Sequence, residues 1–192
     1  QNPFTQISGV KETVYEEIAY GMENLGFKRE VMIEKAEELI TLFNLQDLRD
    51  KNPFELSGGQ KQRVALASIV ALNPEIIILD EPTSQLDPKS TEDIFKIIDL
   101  LKKQGKTILL VEHKIDLVAE YCDEIILMES GNVAISGTAK EVFSTEEVLL
   151  HGGQLPQISR FFIEAVKQNK ITNLDSIPIT LEEAKSFFER TR

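Results

Sequence analysis

Asp80 and Glu81 stand side by side directly after the apolar run at residues 76–79, and Pro82 turns the chain just beyond them. An apolar strand that delivers two carboxylates to its C-terminal end puts them where α/β sheets bind ligands. There Asp80 can hold magnesium through water, and Glu81 can orient or deprotonate an attacking water. A solvated loop is the ordinary role of such a pair, and on these two residues alone both readings stand. Upstream, "LSGGQ" at residues 56–60 sets Ser57 three residues before Gln60. That spacing makes a capping box, which starts a helix and need do nothing more. The same helix start, with Gly58 and Gly59 in its first turn, also lets backbone N–H groups approach a phosphate closely. His113 closes the apolar run "KTILLVEH", where an imidazole can reach a γ-phosphate, although a histidine at a strand end is more often structural.

These side chains need a scaffold, and the pattern of the chain supplies one. Residues 10–24 and 29–43 are periodic helical segments, the second with Met32, Ala36, Leu39, Ile40 and Phe43 on one face. Gly26 hinges them into a hairpin. The helix that opens on "SGGQ" stops at Asn73 and Pro74, and "EIIILD" is too apolar for a strand covered on one side, so it is expected as a central parallel strand. Pro88 starts a helix through Gln104, residues 106–113 form a second buried strand, and residues 115–121 are helical. A third strand then turns through Ser130, Gly131 and Asn132 into a fourth. Strands alternating with helices indicate an α/β domain. After Gly137 the pattern changes to short helices, with starts at Thr138 and Thr180 that each have glutamate three residues on. The domains expected are therefore residues 1–137, with a helical subdomain at about 10–73, and a C-terminal helical extension at 138–192.

Taken together, "LSGGQKQRVALASIVALNPEIIILDEPTSQLD" and "VEHKID" resemble the ATP-binding-cassette (ABC) ATPases over residues 1–137. The resemblance implies a P-loop NTPase-like core and two cofactors, ATP and Mg2+. By position, Ser57, Gly58, Gly59 and Gln60 match the family signature that touches the γ-phosphate of ATP held by a partner subunit. Asp80 matches the magnesium aspartate, Glu81 the catalytic glutamate and His113 the switch histidine. Residues 84–87, ending in Asp87, match the loop that communicates across the dimer, with Gln85 where the family often has alanine. Gln1 matches the glutamine that senses magnesium and contacts the membrane partner. The opening "QNPFTQISGVKETVYEEIAYGMENLGFKRE" is similar to the energy-coupling factor group, whose ATPases power uptake of vitamins and transition-metal ions. That likeness implies a second ABC ATPase subunit, a transmembrane coupling protein and a substrate-binding membrane subunit as partners. It also implies a cytoplasmic protein, peripheral on the inner face of the cell membrane, whose C-terminal extension helps to pair the ATPases.

One part of such a site is missing from these residues. A P-loop needs G-x-x-x-x-G-K-[ST] between a strand and a helix. "GKT" occurs at residues 105–107, but Leu100 stands five before Gly105 and the segment runs from helix into strand. The second "GGQ", at residues 152–154, follows His151 and precedes Pro156, and is a turn. In the family the P-loop lies N-terminal to the glutamine, so a fragment beginning at Gln1 is expected, scarcely active alone.

Composition bounds the alternatives. The 192 residues carry a net charge of −11, which argues against bulk nucleic-acid binding. No apolar run approaches the roughly 18 residues of a membrane span. Cys122 is the single cysteine, and the first residues lack the pattern of a secretory signal, which points to a reducing cytosolic setting. A DNA-repair or translation-associated cassette shares the signature, but a long coiled coil, a basic surface or a linked second cassette would be needed. A partial cassette that lends its signature to a complete partner is the non-catalytic alternative.

Overall fold

The computed structural model describes residues 7–172 and 174–190. The chain divides into two compact units, one ending at Glu112 and the other beginning at His113.

In the first unit, α1 (Val14–Asn24) starts at a capping box: Thr13 Oγ1 accepts from Glu16 N, and Glu16 Oε2 accepts from Thr13 N, both at 3.2 Å. This box sets the helix start at Val14, four residues later than periodicity alone suggests. The first two amides of α1 donate to the carbonyls of Lys51 and Arg49 at 3.0 Å. Gly26, at φ +73°, makes the expected hinge into α2 (Arg29–Leu42). Val14, Ile18 and Met22 of α1 lie at i, i+4 spacing and pack with Leu39 and Ile40 of α2 and with α3 (Gly58–Ala71). Asn73, at φ +53°, stops the chain after α3 before β1 (Ile76–Asp80) begins.

β1 pairs in parallel with β2 (Thr107–Val111), from Ile76 opposite Thr107 to Asp80 opposite Val111, and α4 (Pro88–Lys103) connects them. Ile77 and Leu79 join Ile108 and Leu110 in a core with Ile94, Ile97 and Leu101 of α4. The expectation of a central strand buried on both faces is corrected here. Among the described residues β1 has one neighbour, and Ile76 and Ile78 are 63% and 67% exposed. Leu109 and Val111 share that open face. Side chains alternate across a strand, so a fully apolar run shows how both faces can be buried and not whether they are. β2 also ends earlier than expected: its ladder stops at Val111, where its partner turns away after Asp80, and His113 lies beyond the strand.

In the second unit, α5 (Ile115–Tyr121) leads to an antiparallel hairpin of β3 (Glu124–Glu129) and β4 (Asn132–Thr138). Ser130 at φ +49° and Gly131 at φ +80° form its turn, as the sequence indicates. Ile125, Leu127 and Ile135 pack on a core of Ala119, Val142, Phe143, Val148 and Ile179, to which α6 (Ala139–Phe143) and α7 (Glu147–Leu150) contribute. The hairpin and α6 pack together, so the compact unit spans the change in sequence pattern at Gly137. Asp116 accepts from the backbone N of Gln157 at 2.8 Å and so holds the start of α8 (Gln157–Lys167). In α9 (Leu181–Arg190), Phe187 meets Phe162 of α8 edge to face at 5.3 Å.

Candidate functional site

Asp80 ends β1 as an exposed residue, and Glu81 follows it half-buried at φ +44°. A residue with a side chain is uncommon in that left-handed region, and it persists where its neighbours over-determine it. Glu81 N donates to Val111 O at 2.9 Å, while Ser84 N and Ser84 Oγ donate to Glu81 O at 3.3 and 3.2 Å. Pro82 and Thr83 turn inward and are buried. The fully buried Thr83 hydroxyl donates to the Glu112 carboxylate. Sequence reading missed both residues of this last bond. Nothing in the spacing of two residues 29 apart signals that they meet.

The signature lies at the start of α3, as expected. Ser57 Oγ accepts from Gln60 N at 3.4 Å, and Gln60 Oε1 accepts from Ser57 N at 2.9 Å, so the capping box is formed. The two readings of "LSGGQ" are compatible in this geometry. Ser57 Oγ accepts within the cap, and its own proton remains available to an anion outside. The two glycines differ. Gly58 has open space where a Cβ would stand, whereas a Cβ on Gly59 would meet Ser90 Oγ at 2.6 Å and Ser90 Cβ at 2.9 Å. Gly59 is therefore the point at which the start of α3 meets the start of α4.

Asp87 caps α4, accepting from Lys89 N and Ser90 N at 3.0 Å each and from Ser90 Oγ at 2.6 Å. The Ser90 hydroxyl and amide hold its carboxyl below the ordinary 3.8. The fold thus brings Gly59 to the Asp87–Ser90 cap and ties Glu81 to the end of β2. His113 is exposed and belongs to the second unit, where its carbonyl accepts from Ile115 N at 3.0 Å. Gln1 lies outside the described residues.

A family model described as ABC transporter matches residues 3–84, a span that contains both the signature and the two carboxylates. The energy-coupling factor transporter ATP-binding protein EcfA2 of Streptococcus agalactiae is 43% identical over 176 residues, which cover 90% of this chain and 62% of that protein. The chain is similar to the ABC transporter ATPases. Its fold is similar to that of cbiO1 from Clostridium perfringens, part of the ABC transporter complex cbiONQ, with TM-score 0.70 and 30% identity over 88% of this chain and 65% of that one. It is also similar to the ATP-binding cassette MJ0796, in a dimeric post-hydrolysis state bound to ADP and Pi, with TM-score 0.60 and 30% identity over 70% of this chain and 60% of that one. The chain thus spans about 62% of the length of the curated relative described above.

The carboxylates at the end of β1 could hold a magnesium ion in one particular way. Among the described residues no group of three or more His, Cys, Asp or Glu side chains could form an all-protein cage. One exposed carboxylate at a strand end fits an ion that keeps its waters and takes its remaining ligands from phosphates. Among the described residues no helix is long and apolar enough to cross a membrane.

Proposed function

We propose that the intact subunit containing these 192 residues is the ATP-binding subunit of a membrane importer of the energy-coupling factor type, which converts ATP hydrolysis into movement of membrane subunits. The observation that carries this reading is the bend at Glu81, a carboxylate in a left-handed conformation immediately beyond a parallel strand. In this role Glu81 orients the attacking water and takes its proton. Asp80, with Gln1, holds magnesium, which when bound neutralises charge on the phosphates. His113 faces the γ-phosphate. Ser57, Gly58, Gly59 and Gln60 meet the γ-phosphate of ATP held by a second ABC ATPase subunit, using the positive end of α3 and the Ser57 proton. Asp87 closes the loop that runs between the two subunits. The partners are that second subunit, a transmembrane coupling protein and a substrate-binding membrane subunit, and the location is the inner face of the membrane. The energy-coupling factor name borne by a 43% identical relative supports this assignment.

Purification of the intact subunit from detergent-solubilised membranes tests it. A polytopic membrane protein should co-purify, with ATP turnover that Glu81→Gln lowers by about 10²- to 10⁴-fold while ATP still binds. Recovery with ribosomes or DNA and no membrane protein would sink the importer reading. Undiminished turnover in Glu81→Gln would remove Glu81 from its role.

A further inference from the structure

We infer that Thr83 and Glu112 form a positioning pair that sets the aim of the Glu81 carboxylate, a role that rests on the catalytic reading of Glu81 given above. The left-handed bend at Glu81 must be imposed by its surroundings. Among the bonds that anchor the 81–87 turn at the end of β2, two stand out. One is the backbone bond from Glu81 N to Val111 O, at 2.9 Å, and the other runs from the Thr83 hydroxyl to the Glu112 carboxylate. Within the turn, Leu86 N donates to Thr83 O at 3.2 Å and Ser84 closes on Glu81 O, so the turn moves as a piece.

The backbone bond at Glu81 N alone fixes one point of that piece against β2 and leaves it more freedom than two bonds do. The second anchor, two residues along the turn and one residue past the end of β2, limits that freedom. Thr83 is 0% exposed, so its hydroxyl has no water to substitute for the carboxylate. The charged acceptor makes this bond stronger than a neutral one. An aiming function affects the chemical step more than ATP binding, since misplacement of a reacting group raises the barrier without loosening the nucleotide.

Amide hydrogen exchange on the 192-residue chain tests the anchor without requiring activity. In Thr83→Val, which keeps the shape and removes the hydroxyl, the amides of Glu81, Ser84 and Leu86 should exchange about tenfold faster. The amides of Ile77, Leu79, Ile108 and Leu110 should be unchanged, and Thr83→Ser should match the parent. Parental exchange in Thr83→Val, or equally fast exchange in Thr83→Ser, overturns the inference. If Thr83→Val does not fold, Glu112→Gln, which still accepts, against Glu112→Ala, which does not, makes the same comparison. In the intact subunit Thr83→Val should lower kcat about tenfold with KM for ATP held within about twofold, and Thr83→Ser should restore it. A raised KM with unchanged kcat overturns the aiming role. An intact subunit that never hydrolyses ATP would end the proposed function, while the exchange comparison would still decide the anchor.

Discussion

At the scale of the residue, neighbouring positions of one motif have different physical roles. Gly58 and Gly59 are adjacent in "LSGGQ", yet the first faces open space and the second faces Ser90 at 2.6 Å. Because Ser90 is held by Asp87 through both its amide and its hydroxyl, it cannot swing aside cheaply. Gly59→Ala should therefore destabilise the chain by about 1–3 kcal/mol, the usual cost of overpacking. Gly58→Ala should leave the urea midpoint unchanged or slightly raised. Equal midpoints for the two variants would show that α3 and α4 do not meet at Gly59.

Asp87 gives a pH-dependent expectation. Its carboxyl titrates below the ordinary 3.8 in the folded chain, chiefly through the Ser90 hydroxyl and then the Ser90 amide. A depressed folded pKa means that the unfolded state takes up the proton first as pH falls. The stability contributed by Asp87 is thus fully present above its ordinary pKa and is lost as pH falls through the lowered folded value. Asparagine still caps a helix but does not titrate in this range. Between about pH 6 and pH 3 the urea midpoint should fall further in the parent than in Asp87→Asn. Parallel curves would show that the cap makes no contribution of this kind.

At the scale of the element, the two faces of β1 have different surroundings in these 192 residues. Ile77 and Leu79 are buried against α4 while Ile76 and Ile78 stand open on the other face with Leu109 and Val111. Ile77→Ala should cost about 2–5 kcal/mol in the 192-residue chain, because it opens a cavity in a packed core. Ile78→Ala should stay within about 0.5 kcal/mol, since it removes side chain that solvent already reaches. Equal losses at the two positions, read by urea unfolding, would mean that both faces of the strand are covered in solution. The helix starts at Ser57 and Thr138 behave more simply, because their capping boxes form as the sequence indicates.

At the scale of the whole molecule, the proposed signature acts on a phosphate held by another subunit. A mixed dimer of intact subunits tests this. Pair one subunit carrying Ser57→Arg with one whose P-loop lysine is disabled. The surviving P-loop then faces an intact signature, and turnover should persist. With both changes in one subunit, the surviving P-loop faces the arginine, whose bulk fills the space beside the α3 N-terminus, and turnover should fall to near zero. Equal activity of the two arrangements would return "LSGGQ" to a capping box alone.

By itself the sequence determines what is written within a few residues of chain. The caps at Ser57 and Thr138, the hinge at Gly26 and the hairpin turn at Ser130 and Gly131 all rest on contacts between near neighbours, so their residue types announce them. The likeness to ABC ATPases was legible for the same reason, since signature and carboxylates lie in two short continuous stretches. Tertiary structure decided which face of β1 is covered, how the chain bends at Glu81, and that Thr83 meets Glu112 across 29 residues. It also put the limit of the first compact unit at Glu112, because the β3–β4 hairpin packs with the α6 that follows it. Each of these depends on which distant segments share a core, and packing is chosen by the shape and burial of the whole unit, which no local spacing encodes.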